Sequence, residues 1–85
     1  MAHVKIYSSD YCPFCSRAKA LLQQRGVTDY EEIVVDGKPD VRARMTGLTG
    51  RTSVPQVFVG DLHVGGCDDL YALDARGGLV PLLQA

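Results

Sequence analysis

Two cysteines three residues apart, Cys12 and Cys15, are the side chains of this 85-residue chain best suited to covalent chemistry. A thiolate attacks disulfides and ligates metals, and a second thiol nearby can close a reversible disulfide with it. The pair stands in Tyr11-Cys12-Pro13-Phe14-Cys15, after an apolar alternation through Val4 and Ile6 and before a helical pattern through Ala18, Leu21 and Leu22. A strand, a turn and a helix start are expected there. Cys12 falls at the N-cap and Pro13 at the first helical position, where a missing N–H costs nothing and the fixed φ suits the helix. The free N–H groups and the macrodipole at that end favour an anion, so Cys12 is expected to carry an ionised sulfur aimed outward. Cys15 lies one turn on and shares that face, so a small, exposed, reversible disulfide is expected.

The same spacing also suits half of a zinc site, completed by Cys67 and a histidine. A matching second pair, another CxxC or an HxxxH, is absent from the sequence, which argues against a metal. Three cysteines cannot all pair within one chain, so a structural disulfide framework is disfavoured.

The remaining composition narrows the class. Hydrophobic residues make up 46% and charged residues 22% of the chain, ordinary values for a globular protein, and no run approaches a membrane span. A formal net charge of −1, spread along the chain without a basic block, argues against nucleic acid as partner. Met1-Ala2-His3-Val4-Lys5 leads directly into a strand without a secretory pattern, so a cytoplasmic location is expected. Residues 1–85 carry no repeat or linker and read as a single domain.

The elements that must position the cysteines follow from periodicity. His3 to Ser8 reads as a strand, and Pro13 to Arg25 as a helix with Phe14, Ala18, Leu21 and Leu22 as its apolar stripe, stopped by Gly26. Tyr30 to Val35 reads as a second strand, parallel to the first through a right-handed crossover. Pro39 opens a helix with Val41, Met45 and Leu48 as its core face. Val57 to Val59 and Leu62 to Val64 flank Gly60-Asp61 as an antiparallel hairpin. Cys67 to Arg76 reads as a third helix with Asp68 and Asp69 in its first turn, and the apolar tail through Leu79, Leu82 and Leu83 as a short terminal helix. The order βαβαββα predicts an α/β chain, a four-stranded mixed sheet with helices on both faces. Its chemistry is expected at the carboxyl ends of the strands, where Cys12 lies.

Three motifs, Cys-Pro-Phe-Cys at 12–15, Thr52-Ser53-Val54-Pro55-Gln56-Val57-Phe58, and Gly65-Gly66-Cys67-Asp68-Asp69-Leu70, give the whole chain a resemblance to the glutaredoxins, most of all the small bacterial dithiol type. The resemblance implies a thioredoxin-like fold and a glutathione-dependent disulfide oxidoreductase, with Cys12 as nucleophile and Cys15 as resolving cysteine. It implies that Pro55 is cis and that the backbone of Val54 pairs with the cysteine part of glutathione, as an added strand would. Gly66, Cys67 and Asp68 match the place that holds the γ-glutamyl end. Tyr11 lies at the rim beside Cys12, Phe14 replaces a commoner tyrosine, and Arg42 matches a polar position near the glycyl carboxylate. Where many relatives carry a lysine three residues before the first cysteine, this chain has Ser9, so weakened glutathione binding is expected. Cys67 resembles an extra cysteine of some relatives; as a residue it reads as a small packed side chain at a helix start.

The resemblance further implies glutathione as co-substrate with no tightly bound cofactor. It also implies a monomer acting on disulfide-containing or glutathionylated proteins, with ribonucleotide reductase a candidate. Two rivals are a redoxin recharged by thioredoxin reductase, disfavoured by the groove motifs, and an iron–sulfur or zinc carrier, disfavoured by Pro13 and Cys15 in place of Cys-Gly-Phe-Ser.

Overall fold

The structure, a computed structural model, describes residues 2–85. The elements follow the order β1 (Val4–Ser8), α1 (Pro13–Gln24), β2 (Glu31–Val34), α2 (Pro39–Thr49), β3 (Gln56–Val59), β4 (Leu62–Gly65), α3 (Cys67–Ala75) and α4 (Leu79–Gln84). One four-stranded sheet runs β2-β1-β3-β4. β1 pairs parallel with β2 and antiparallel with β3, and β3 pairs antiparallel with β4. This is the mixed sheet expected from the sequence, with elements trimmed by a residue or two at their ends.

Strand alternation divides the interior into two clusters. Val4 and Ile6 of β1 with Val57 and Val59 of β3 face α1, α3 and α4, and pack on Ala18, Leu21, Leu22, Cys67, Leu70, Leu79 and Leu83. Tyr7 and Phe58 point the other way and pack with Val35 and Met45 under α2. The terminal helix thus docks as expected, with Ala2 donating its N–H to the Leu83 carbonyl at 2.9 Å.

Two helix faces differ from the sequence expectation. In α1 the buried positions are Cys15, Ala18, Leu21 and Leu22, whereas Phe14 is 53% exposed. A stripe at i, i+3 and i+7 through Cys15, Ala18 and Leu22 fits the sheet, so Cys15 takes the inward place that periodicity assigned to Phe14. In α2 only Met45 is buried; Val41 is half-buried and Leu48 is 52% exposed. A helix with a narrow contact face seats one turn, and Leu48 lies past its edge.

Candidate active site

Cys12 caps α1 with extended backbone, φ −132° and ψ 100°, and its Sγ accepts the backbone N–H of Cys15 at 3.1 Å. The Cys12 carbonyl accepts the Ser16 N–H at 3.1 Å, so the cap is closed by both its oxygen and its sulfur. No acidic residue occupies the first turn of α1. After reduction, a Cys12 thiolate would find the same N–H donor and the positive end of the helix. Here the two cysteines are joined as a disulfide, with Cα atoms 5.1 Å apart. The disulfide is not exposed as a whole: Cys12 is half-buried, whereas Cys15 is 1% exposed. An attacking thiol therefore reaches the sulfur of Cys12 and not that of Cys15.

The loop ahead of β3 runs past this sulfur. The Val54-Pro55 bond is cis, and Cys12 Sγ lies 3.8 Å from the Val54 carbonyl oxygen. From there a groove of about 270 Å3 extends along Phe14, Ser53, Val54 and Pro55 on one side and Gly66, Cys67 and Asp68 on the other, with Arg51 and Asp69 also in its lining. Of the residues singled out from sequence, Phe14, Val54, Pro55, Gly66, Cys67 and Asp68 thus share one groove with the cap at its mouth. Tyr11, Arg42 and the two cysteines themselves do not line it; Cys12 meets it through its contact with Val54. Tyr11 is 95% exposed beside the disulfide, and Arg42 Nη1 donates to the Thr52 carbonyl at 2.8 Å.

The loop is held from behind by a polar relay. Gln56, fully buried, donates from Nε2 to the Ser53 carbonyl at 3.0 Å, and its Oε1 lies 2.7 Å from His63 Nε2. With the amide nitrogen donating, Oε1 is left to accept, which puts the His63 proton on Nε2. Burial, with a lesser push from Arg51, lowers the His63 pKa and keeps the ring neutral. Through Gln56, His63 props the segment that carries Val54.

At the far end of the groove, Gly66 caps α3, and its N–H donates to Asp69 Oδ2 at 2.9 Å. The same oxygen takes Arg51 Nη1 at 2.7 Å. Arg51, and then the Gly66 N–H, hold the Asp69 carboxyl below the usual carboxylate range. Gly65 sits at φ +124°, and a Cβ there would run into the Asp69 carboxylate, so this corner needs glycine. Cys67 is buried in the core, as its small-residue reading expected, and burial pushes its thiol pKa up. Arg51, Ser53 and Asp69 line the groove without having been expected as site residues; Ser53 and Asp69 lie inside the motifs quoted from the sequence, and the only signal for Arg51 is its place directly before Thr52-Ser53-Val54-Pro55.

Ser9, where a lysine was expected from the family pattern, donates from its hydroxyl to Asp36 Oδ1 at 2.7 Å, and the Asp10 N–H donates to Asp36 Oδ2 at 2.8 Å. These donors, Ser9 first, lower the Asp36 pKa. The position therefore pins the loop before Cys12 to the end of β2 and offers no cation. Among the described residues no group of three or more His, Cys, Asp or Glu side chains is arranged to hold a metal ion.

Comparison with known proteins bears directly on this arrangement. The family model described as Glutaredoxin matches residues 4–64. Glutaredoxin 3 of Escherichia coli (strain K12) is 56% identical over 84 residues, covering 99% of this chain and 100% of that protein. The chain belongs to the glutaredoxin family. Glutaredoxins are thiol–disulfide oxidoreductases, and the Cys12-Cys15 disulfide fits their CPxC motif. A glutaredoxin of Pseudomonas aeruginosa is 53% identical over 85 residues, covering all of both chains. Among solved structures, the crystal structure of a buckwheat glutaredoxin–glutathione complex superposes with a TM-score of 0.88 at 37% identity, over 98% of this chain and 77% of that one. The solution structure of a Brucella melitensis glutaredoxin gives 0.85 at 49% identity, over 98% and 89%. The thioredoxin-like fold and the dithiol oxidoreductase class expected from the sequence both hold for this glutaredoxin.

Proposed function

We propose that Cys12 is the attacking nucleophile, Cys15 the resolving cysteine, and glutathione the co-substrate, lying along the groove between the Val54 backbone and the start of α3. One observation carries this reading: the reachable sulfur of the pair caps α1 at the mouth of that groove, 3.8 Å from the Val54 carbonyl. In the monothiol route, the Cys12 thiolate attacks the glutathione sulfur of a mixed disulfide. A Cys12–glutathione bond forms, the substrate leaves as thiolate and takes a proton, and a second glutathione thiolate then releases oxidised glutathione and regenerates Cys12. In the dithiol route, Cys15 displaces the substrate sulfur from Cys12, and the disulfide seen here is the product.

Ionisation alone does not account for the rate. A free thiol with pKa about 8.5 is about 3% ionised at pH 7, so lowering its pKa to about 5 raises the thiolate roughly thirtyfold. A Brønsted slope of about 0.4–0.5 takes back a similar factor in nucleophilicity. The gain lies in Cys12 as a leaving group and in the groove fixing which sulfur is struck.

The substrates on this reading are glutathionylated or disulfide-bonded proteins, ribonucleotide reductase among the candidates. The chain acts as one monomeric unit in the cytoplasm, and the exposed Tyr11 and Phe14 form the rim met by the substrate. Arg42, 10 residues before Thr52 in sequence and bonded to its carbonyl, faces the glycyl end. The test is Cys15→Ser: reduction of glutathione mixed disulfides persists with glutathione, NADPH and glutathione reductase, while reduction of protein disulfides by the dithiol route is lost. Loss of both activities contradicts the monothiol route. Turnover of wild type with thioredoxin reductase, and none with glutathione, contradicts glutathione as co-substrate.

A further inference from the structure

We infer that the open half of the sheet face under α2 binds a small apolar monocarboxylate, with its anionic head between Lys5 and Arg44 and its body on Tyr7, Ile33 and Val41; the inference is independent of the glutathione reading above. Strand alternation puts Lys5 and Tyr7 of β1 on this face, in register with Glu31 and Ile33 of β2, and sets Phe58 of β3 beside Lys5. The helix that covers the face, α2, buries only Met45, which packs with Tyr7, Val35 and Phe58. The half at the start of β1 stays open as a cavity of about 290 Å3, lined by Lys5, Tyr7, Glu31, Ile33, Val41 and Arg44. It is as large as the groove beside Cys12 and shares no residue with it.

Charge and shape decide what enters. β1 is paired on both sides, so a lysine in it must lie over its own sheet. Lys5 Nζ stands 5.5 Å from the centroid of the Tyr7 ring and 5.1 Å from that of Phe58, a contact that fixes the ammonium without neutralising it. Its register partner Glu31 is turned to His3, whose Nε2 lies 3.0 Å from Glu31 Oε1. Arg44 is exposed on the α2 wall, and among the described residues neither cation has an ion-pair partner. Below them Tyr7, Ile33 and Val41 form an apolar floor. Two unpaired cations over such a floor take one anionic head on an apolar body, and Glu31 on the β2 side repels a second negative charge. A cationic ligand is repelled by Lys5 and Arg44, and an inorganic anion gains nothing from the floor.

The experiment follows backbone amide NMR shifts of the isotope-labelled full chain during titration with 4-phenylbutanoate, its uncharged amide and 4-phenylbutylammonium. Saturable shifts centred on Lys5, Tyr7, Ile33, Val41 and Arg44 are expected with the carboxylate, with the amide at least about fivefold weaker and the ammonium weaker still. Lys5→Met keeps an apolar stem over the two rings and removes the charge. It and Arg44→Gln are each expected to weaken the carboxylate about two- to fivefold, as the loss of one part-exposed ion pair does, while binding of the amide and turnover of a glutathione mixed disulfide stay unchanged. Equal binding of the three probes, shifts centred on the groove of Val54 and Gly66, or no saturation overturns the proposal. So does a Lys5→Met that binds the carboxylate as wild type does, since the lysine then only shields the rings, and so does equal weakening of carboxylate and amide.

Discussion

Two helix N-termini border the groove, and they are built in opposite ways. α1 begins with a sulfur as cap, proline at its first position and no carboxylate in its first turn. α3 begins with glycine as cap and two carboxylates in its first turn, one of them folded back onto the cap N–H and paired with Arg51. Both ends carry unpaired N–H groups and a partial positive charge. At α1 the first turn holds no carboxylate and the Cys12 sulfur takes the Cys15 N–H, the arrangement that on the proposed reading favours a thiolate there. At α3 the chain supplies its own anion, Asp69, which takes the Gly66 N–H and pairs with Arg51.

Breaking the α3 arrangement at its corner is expected to have the largest effect on stability. Gly65→Ala puts a methyl where the Asp69 carboxylate sits, at a backbone angle that L side chains rarely adopt. A loss of about 2 kcal/mol in denaturant unfolding is expected. Gly47, inside α2 with open space around it, gives the control: Gly47→Ala is expected to stabilise by about 0.5–1 kcal/mol.

Asp69→Asn removes the charge and keeps the shape. The folded-state pKa of Asp69 is lowered by Arg51 and by the Gly66 N–H. Its contribution is therefore complete above the unfolded value of about 3.9 and is lost as pH falls through the folded value. The pair is nearly half exposed and solvent-screened, so the difference between wild type and Asp69→Asn is expected to be about 0.5–1 kcal/mol at pH 7. That gap closes on acidification below about pH 4. Urea titrations at several pH values measure it; a gap that persists or widens in acid contradicts the electrostatic account.

The smallest effect comes from making α1 resemble α3. Ser16 is exposed in the first turns of α1, and Ser16→Asp places a carboxylate near the cap. It is expected to raise the Cys12 thiol pKa, by less than about one unit, as a charge worth 0.3–1 kcal/mol at a helix end does. The check is the pH dependence of alkylation.

The two ends also differed in how far they could be read from sequence. The α1 cap was legible because every cue is local: alternation through Val4 and Ile6, then Cys-Pro, then a helical stripe. The same local reading put Phe14 inward and Leu48 in the core, because periodicity gives a helix its faces but not the angle at which it meets the sheet. At α3, Asp68 and Asp69 were visible as first-turn acids, and Asp68 as a groove residue. What Asp69 does was not visible, since its partner Arg51 is 18 residues away and reads as a solvated loop cation until the loop and helix are brought together. The His63-Gln56-Ser53 relay was hidden for a similar reason. A polar side chain in a short strand gives no sign of burial until its partners across the hairpin are known.

The central claim is that the α1 N-terminus keeps Cys12 ionised, and the most direct measurement is the pH dependence of Cys12 alkylation in Cys15→Ser, with mass spectrometry separating Cys12 from the buried Cys67. The account predicts a midpoint well below that of an ordinary thiol, about 8.5, and a shift upward on adding Ser16→Asp. A midpoint at or above the ordinary value, unmoved by the added carboxylate, would contradict it.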